Sequence, residues 1–410
     1  MEGIAVPAVL RGRVPAVRQA TLETRPEGQD RRIRPCVPKK RFQEREREQF
    51  LVIAYALVSV ISFSFIGPSS AIAGAASWQD LGEPSYASRA TAISANGQVV
   101  VGEAFHDAWR WTPESGKVPL GHMWDEWEWI TPQVVSADGS VIAGTVLILD
   151  GAWCLAQTVF RWDASTGVVD IGSGFKYVFG ISADGSAIMG YRLDAQGNSQ
   201  ISRWTAAGVT DYGYPIAPYT ASADLTTVVG VRWWPPTPDE LREEAVRWPL
   251  GEDPEGIGTL DKGGGQDYSS ALGCSPDGRA VVGYVACGEQ SEAFVWTQEQ
   301  GMVGLGMLPG SVSSSAYGIS SDGTVVGVSP MPYSQEAFVW DEYHGMRRLR
   351  DVLVEYGAIG VPSLLDGGYG ITPDGTTIFG NYWVATLPEP ATLALVAVGI
   401  GGLMLRRRRK

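Results

Sequence analysis

The chain alternates short polar turns with short apolar runs. The recurring turn reads Ser or Thr, any residue, Asp or Asn, and Gly, and a second Gly closes the unit after four more residues. Asp-Gly and Asn-Gly readily take the positive φ angles that hairpin turns need. One copy has Leu225 in place of the first glycine, and the copy at Asp322 is one residue shorter. Seven copies are recognisable, and they begin at Ser94, Ser136, Ser182, Ser222, Ser275, Ser320 and Thr372.

Each turn is followed by a run that predicts a β-strand. Val99–Val101 and Val141–Ile142 are β-branched, as are Val228–Val229, Val281–Val282 and Val325–Val326 in later copies. The closing glycine permits a bulge or a close backbone approach. The turn aspartates could also be calcium ligands, but one carboxylate per turn, without further acids at alternate positions, is a weak set. The pattern therefore favours structural turns.

A tryptophan follows each turn, and a short strand ending in a pair such as Leu-Gly often comes next. The turns are 40 to 53 residues apart, which suits one four-stranded propeller blade. A solenoid would also repeat, but it needs capping units. The sequence predicts an all-β fold, a β-propeller of about seven degenerate repeats. The tryptophans are Trp111, Trp162, Trp204, Trp248, Trp296, Trp340 and Trp383.

The two ends of the repeat region complement each other. Trp78–Gly82 resembles the tail of a repeat placed before the first turn, whereas the last copy stops at Trp383 without such a tail. The two ends could therefore complete one blade. Such closure would pair the free sheet edges and remove the aggregation hazard that they present.

The N-terminal region predicts a secretory leader. Lys39–Arg47 is rich in basic residues, Phe50–Ile66 is almost wholly apolar, and Ala71 and Ala73 are small residues at the spacing that a signal peptidase reads. An uncleaved anchor is the alternative, although 17 residues barely cross a hydrocarbon core of about 30 Å. We predict that residues 1–73 form an N-terminal extension and a signal peptide.

The C-terminal region has three parts in order. The first is Pro388, Glu389 and Pro390, the second is apolar Leu393–Leu405, and the third is a basic tail that contains Arg406, Arg407, Arg408 and Arg409. A helix of 13 residues rises only about 20 Å, which is short for a permanent span. Basic residues after it would stay on the cytoplasmic side.

This tripartite end resembles the PEP-CTERM sorting signal of exopolysaccharide-producing bacteria. The resemblance implies that residues 388–410 are handled by an exosortase, a membrane-embedded protease, with Pro388, Glu389 and Pro390 as its recognition residues. It also implies a sorting helix and transient membrane contact before processing. A simple tail anchor is the alternative.

Residues 74–387 form the predicted propeller domain. Most of residues 78–384 resemble the HAF-type extracellular repeats that often accompany such signals. Ala293–Trp296 and Ala337–Trp340 carry the likeness best. The histidine of the family's name is replaced by Glu292 and Glu336, so no role of that histidine transfers.

The charge of the repeat region argues against nucleic acid as a partner. The two ends hold 17 of the 32 basic and 8 of the 45 acidic side chains, which leaves 15 against 37 between residues 74 and 388, a net charge of −22. Such a field repels phosphate backbones and anionic lipids, while cations or neutral glycans stay compatible with it.

The sequence carries no motif for catalysis, a cofactor or a metal. His106, His122 and His344 lie in different repeats, and none has a companion at triad or metal-ligand spacing. A carboxylate pair assembled from distant blades stays open as an alternative. Cys274 and Cys287 could form a disulfide after export, or could be two ordinary thiols. We predict a protein that is not an enzyme.

Two aromatic segments stand outside the repeat. Trp124, Trp127 and Trp129 alternate with acids, a chemistry suited to stacking on sugar rings while carboxylates accept hydrogen bonds from hydroxyls. Trp233–Pro236 is the second segment. Inter-blade packing is the alternative for both. The first segment is our candidate glycan-binding site.

Together these patterns predict an exported, non-catalytic surface or extracellular-matrix protein. Its expected partners are a signal peptidase, an exosortase and extracellular polysaccharide. A secreted polysaccharide hydrolase or lyase, or a lectin-like module, is the alternative function.

Overall fold

The computed structural model describes residues 75–82, 88–123, 128–150, 153–172, 174–237, 240–260, 268–288, 290–332 and 334–388. Within them the chain forms seven antiparallel four-stranded sheets, the blades of a β-propeller. The predicted all-β propeller of seven repeats is thereby confirmed.

The strands follow the repeats in chain order. Strand β1 (Ser77–Asp80) comes first. Blade 1 contains β2 (Ser88–Ile93), β3 (Val100–Ala104), β4 (Asp107–Thr112) and β5 (Gly116–Pro119). Blade 2 contains β6 (Glu128–Val135), β7 (Val141–Asp150), β8 (Trp153–Asp163) and β9 (Gly167–Asp170). Blade 3 contains β10 (Phe175–Ile181), β11 (Ala187–Leu193), β12 (Ser199–Thr205) and β13 (Gly208–Gly213). Blade 4 contains β14 (Ala217–Ala221), β15 (Thr227–Thr237), β16 (Glu240–Pro249) and β17 (Glu255–Gly256).

Blade 5 contains β18 (Tyr268–Cys274), β19 (Ala280–Cys287), β20 (Gln290–Thr297) and β21 (Gly301–Gly306). Blade 6 contains β22 (Ser315–Ile319), β23 (Val325–Met331), β24 (Ser334–Asp341) and β25 (Gly345–Arg348). Blade 7 contains β26 (Gly370–Ile371), β27 (Thr377–Phe379) and β28 (Trp383–Thr386). One described helix, α1 (Leu349–Glu355), lies between blades 6 and 7.

Blade 7 is completed by the N-terminal strand, as the sequence predicts. Its strand order is β1, β28, β27 and β26, and Ser77 pairs with Thr386 while Asp80 pairs with Trp383. The first strands of neighbouring blades contact one another around the whole ring, so they line the central axis. The ring is therefore closed by strand pairing between the two ends of the propeller.

The Asp turns join the first and second strands of each blade. In blade 2, Asp138 Oδ1 accepts hydrogen bonds from Ser136 Oγ (2.8 Å) and from the amide of Ser140 (2.9 Å), and the Val141 amide donates to Ser136 Oγ (2.9 Å). The turns of blades 1 and 2 are also linked, because the backbone N–H of Asn96 donates to the backbone carbonyl of Ala137. The carboxylate oxygen is thus used by the turn, which agrees with the structural interpretation of these aspartates.

Equivalent hydrogen bonds in blade 3 hold the turn carboxylate of Asp184 ionised. Hydrogen bonds from Ser182 and Ser186 lower the pKa of Asp184 to about 2. The glycine after the aspartate has a positive φ, and Leu225 adopts the same left-handed conformation with φ 59°. The degenerate fourth copy therefore keeps the turn geometry despite losing its glycine.

The closing glycines allow the first strand of a blade to approach the second. In blade 5, Gly283 pairs with Ala271, next to a bulge in β18. A Cβ on Gly283 would overlap the carbonyl oxygen of Ser270 and would lie 3.0 Å from the ring of Phe294. Phe294 is fully buried. The glycine therefore makes room for a neighbouring carbonyl and for an aromatic ring.

Helix α1 is the one described element that the repeat pattern does not predict. Leu349, Val352 and Leu353 are buried on its inner face, where they pack in a cluster with Trp383 and Ala76. The helix occupies part of the long connection between blades 6 and 7. This insertion accounts for much of the wide spacing between the last two turns.

A disulfide between Cys274 and Cys287, considered at the sequence level, is wrong. Cys274 is a free thiol and pairs with Val281, while Cys287 lies six residues further along β19. Six residues of a strand span about 20 Å. Bridged cysteines have Cα atoms about 4.4–6.8 Å apart, so the backbone positions of Cys274 and Cys287 do not allow this bridge.

Among the described residues, no helix has the length and apolar character needed to cross a membrane. The predicted leader and the predicted sorting helix lie outside those residues.

Candidate functional site

The two faces of the propeller differ in their loops. We call the face that carries the Asp turns the turn face. The opposite face, which we call the cavity face, carries the hairpins between the second and third strands of each blade and the starts of the first strands. Gln335 lies at the cavity-face end of β24 and Asp341 at its turn-face end. Six residues separate them, so the faces are about 20 Å apart.

The cavity face contains a cavity of about 940 Å³. It lies where blades 6, 7, 1 and 2 meet, so ring closure assembles it from both halves of the chain. Its wall combines two tyrosines and a tryptophan with carboxylates, amides, hydroxyls and one guanidinium. The side chains used below are those of Arg89, Glu103, Trp129, Gln335, Asp366, Tyr369, Asn381 and Tyr382.

Trp129 supplies an accessible aromatic surface to the cavity. It lies in β6, at the start of the first strand of blade 2, and is 39% exposed. The ring of His106 contacts it edge-on, with centroids 5.5 Å apart. The Ile130 amide donates to the carbonyl of His106 (3.2 Å), which fixes the neighbouring backbone. Trp129 is therefore held in place while part of its ring stays open to a ligand.

Arg89 and Glu103 form an ion pair in the cavity wall. Arg89 Nε donates to Glu103 Oε1 at 2.8 Å, and the two residues face each other across β2 and β3. Glu103 is buried, whereas the Arg89 side chain is 61% exposed. Thr131 Oγ1, from blade 2, donates to Glu103 Oε2 at 2.6 Å. Both carboxylate oxygens therefore have partners, and they connect blades 1 and 2.

The opposite wall comes from blades 6 and 7. Asn381 Nδ2 donates to Asp366 Oδ2 (3.2 Å), and Tyr369 Oη donates to Gln335 Oε1 (3.2 Å). The indole of Trp383 donates to the Asp366 carbonyl (3.2 Å). These bonds orient two amides, a phenol and a carboxylate toward the same space.

Tyrosines continue the aromatic lining around the central axis. Tyr177 and Tyr219, in β10 and β14, are 40% and 47% exposed. Partial enclosure by protein raises the pKa of Tyr177, while the charge of Arg89 opposes this rise. Tyr317 contacts Tyr369 edge-on, with centroids 5.3 Å apart. The axis at the cavity face is thus bordered by phenol rings from several blades.

The described residues offer no metal-binding cluster. None of them forms a group of three His, Cys, Asp or Glu side chains that could hold a metal ion. His122 Nε2 pairs with Asp107 (3.0 Å), and His344 Nδ1 pairs with Asp341 (2.8 Å). Burial raises the pKa of Cys274 to about 12, so this thiol is not a nucleophile near neutral pH.

The predicted site residues are only partly described. Trp129 lies in a strand and borders the cavity, whereas Trp124 and Trp127 lie outside the described residues. Pro388 is on the turn face, two residues beyond β28, where the Leu387 amide donates to the Thr376 carbonyl (2.7 Å). The other candidates also lie outside the described residues, namely Glu389, Pro390, Ala71, Ala73, Arg406, Arg407, Arg408 and Arg409.

Both ends of the propeller leave from the turn face. Ser77 begins β1 and pairs with Thr386, the last residue of β28. Pro388 also borders a turn-face groove of about 800 Å³, together with Trp340 and Tyr343. Either chain end therefore connects to the face opposite the cavity.

Most of the cavity residues were not predicted from the sequence. Tyr369 lies 280 residues after Arg89, and it meets the Arg89–Glu103 pair of blade 1 only through ring closure. A usable signal exists for two of them, because Glu103 follows the closing Gly102 and Arg89 lies one residue before the bulge of the first strand. Aligning the seven repeats at these positions would have found both.

The comparisons with known proteins find only distant similarity. No protein-family model and no curated protein matches the chain. TolB from Acinetobacter baumannii is 14% identical, with a TM-score of 0.40 over 73% of this chain and 67% of that chain. The propeller domain of the trilobed protease from Pyrococcus furiosus is 12% identical, with a TM-score of 0.43 over 67% and 84%.

An oligogalacturonate lyase in complex with manganese is 14% identical, with a TM-score of 0.47 over 77% of this chain and 91% of that chain. The identification of the fold rests on the seven sheets themselves.

Proposed function

We propose that this protein is an exported, non-catalytic surface or matrix protein whose propeller binds extracellular polysaccharide in the cavity. The cavity wall carries this proposal. Its lining includes the partly exposed ring of Trp129, the phenol of Tyr369 and the amides of Gln335 and Asn381. Aromatic faces pack against the apolar faces of sugar rings, and amides and carboxylates pair with hydroxyl groups.

The positions of the chain ends support a role at a surface. The leader would precede β1 and the sorting signal begins at Pro388, and both β1 and β28 meet the turn face. Attachment of the sorting segment to a membrane would hold the turn face toward that membrane. The cavity would then face outward, toward extracellular polysaccharide.

Replacing Trp129 by Ala is expected to weaken binding to a neutral oligosaccharide probe, cellohexaose, about 10-fold. The physical reason is the loss of one stacking surface, which contributes on the order of 1.5 kcal/mol. Isothermal titration of the two proteins measures the change. Tyr343→Ala is the matched control, because Tyr343 is 90% exposed on the turn face.

Equal affinities for the wild type and Trp129→Ala would contradict the proposed glycan site. Release of shorter oligosaccharides during the titration would instead favour the alternative of a hydrolase or lyase.

Deletion of Pro388–Pro390 is expected to keep the basic tail on the protein. In an exosortase-bearing host, the intact chain should lose both the leader and the residues around Arg406–Arg409, whereas the deletion variant should stay in the membrane with its tail. Mass spectrometry of both termini, in membrane and medium fractions, checks this. A tail that persists in the intact chain would instead support a simple membrane anchor.

A further inference from the structure

We infer that the cavity selects uncharged or amine-bearing glycans and rejects chains of uronic acids. This inference rests on the proposed glycan-binding function and concerns the same site. It follows from how the charged side chains of the cavity are paired.

Arg89 is the one cationic side chain among the described residues of the cavity wall. Recognition of a uronate would need a guanidinium free to bind a carboxylate. The Arg89 guanidinium already donates to Glu103, at 2.8 Å. This contact uses Nε, and the adjacent carboxylate offsets the charge of a side chain that is 61% exposed.

Glu103 is fixed where it neutralises Arg89. The residue is only 8% exposed, and its second oxygen accepts the hydrogen bond from Thr131 Oγ1 on the neighbouring blade. A carboxylate held by two partners, on two different blades, does not swing away when a ligand arrives. An anionic sugar would therefore meet the pair and not a free cation.

Asp366 adds a second negative charge to the same wall. Its partner in the cavity is the neutral amide of Asn381, so Arg89, Glu103 and Asp366 together leave a net charge of −1. The propeller around the cavity has the net charge of −22 described above. Like charges at close range cost interaction energy, and a low-dielectric cleft reinforces the effect.

The remaining polar groups suit a hydroxyl-rich or amine-bearing ligand. Gln335, Asn381 and Tyr369 can donate to and accept from sugar hydroxyls, and the negative charge of Asp366 favours a nearby ammonium group. Cellulose-like neutral chains carry hydroxyl groups that can form these hydrogen bonds. Chains of deacetylated hexosamine carry hydroxyl groups and ammonium groups, so they can also bind to this wall.

Three hexasaccharide probes test this inference with the full-length protein: cellohexaose, fully deacetylated chitohexaose and hexagalacturonate. We expect hexagalacturonate to bind at least about 10-fold more weakly than either of the other two at low ionic strength. This difference should shrink as salt is added, because salt screens the repulsion. Titration calorimetry at two salt concentrations measures both effects.

The variant Glu103→Gln identifies the residues responsible. It keeps the shape and can still accept from Thr131, but it leaves the Arg89 charge free. The affinity for hexagalacturonate relative to that for cellohexaose is expected to rise at least about 10-fold. Glu355→Gln is the matched control, since Glu355 pairs with Arg347 (3.7 Å) outside the cavity.

Hexagalacturonate binding as tightly as cellohexaose to the wild type would overturn the inference and leave the glycan site standing. Failure of all three probes to bind would instead overturn the proposed function, and this inference with it. The Glu103→Gln protein should be folded, as shown by an unchanged circular dichroism spectrum. If it still binds hexagalacturonate more weakly than cellohexaose by the same factor as the wild type, the role of the Arg89–Glu103 pair is overturned.

Discussion

Replacing Gly283 by Ala is expected to lower the free energy of unfolding by about 3 kcal/mol or more. The added methyl group would overlap the carbonyl oxygen of Ser270 and press on the ring of Phe294. Both neighbours belong to ordered strands, and Phe294 is fully buried, so neither can move away at low cost. Overpacking of well-packed interiors costs about 1–3 kcal/mol, and more where the backbone itself has to shift. Urea unfolding followed by tryptophan fluorescence measures the change.

Gly301→Asn in the same blade is the matched control. Gly301 has a φ of 68°, and a Cβ at this position would meet nothing within 4 Å. Asn tolerates the left-handed conformation better than other residues with side chains. We expect a change below about 1 kcal/mol. Equal losses in the two variants would contradict the role given to the closing glycine.

The turns and the ring closure could be predicted because their causes are local. Asp138 and Gly139 specify a tight turn by their own chemistry. The closing Gly144 indicates that the backbone of the neighbouring strand lies too close for a side chain at this position. The missing tail after Trp383 indicated where Trp78 would pair. Each inference needed only the repeat and the geometry of a hairpin.

Helix α1 was missed although its sequence contains a helical signal. Leu349, Val352 and Leu353 have the i, i+3, i+4 spacing of an apolar helix face. The seven residues stand inside a region read as repeated strands, and the β-branched Val352 and Val354 suit strands as well. A short apolar run without a capping side chain does not distinguish the two structures by pattern alone.

The candidate cavity could be predicted only in part. Trp129 attracted attention because tryptophans alternate with acids there. Arg89, Asp366 and Tyr369 did not, because none of them belongs to a recognisable motif within its own repeat. Each becomes a candidate site residue only when the fold brings it close to residues of other blades. Their proximity depends on the length of every repeat and on closure of the ring, which no local pattern contains.

Removal of β1 is expected to destabilise the ring by about 4 kcal/mol and to cause self-association. A propeller chain of residues 88–388 lacks the pairing of Ser77–Asp80 with β28, and it also lacks Leu81, which is 4% exposed. Burial of one leucine contributes about 2 kcal/mol, and the lost strand hydrogen bonds and Ala76 contribute the rest. The bare edge of β28 would be free to pair with another chain. Size-exclusion chromatography and urea unfolding, against residues 75–388, measure both effects.

A circularly permuted chain distinguishes two effects: the loss of strand β1 and the removal of residues from the N-terminal side. In blades 1 to 6 the fourth strand follows the third through a short turn, whereas in blade 7 it comes from the N-terminal side. Residues 75–82 attached after Pro388 through a short Gly-containing turn would run antiparallel to β28, in the direction that β1 takes. We expect this permuted protein to be monomeric and within about 1 kcal/mol of residues 75–388, because the same contacts form. If the permuted chain stays as unstable as residues 88–388, the pairing of β1 with β28 is not what closes the ring.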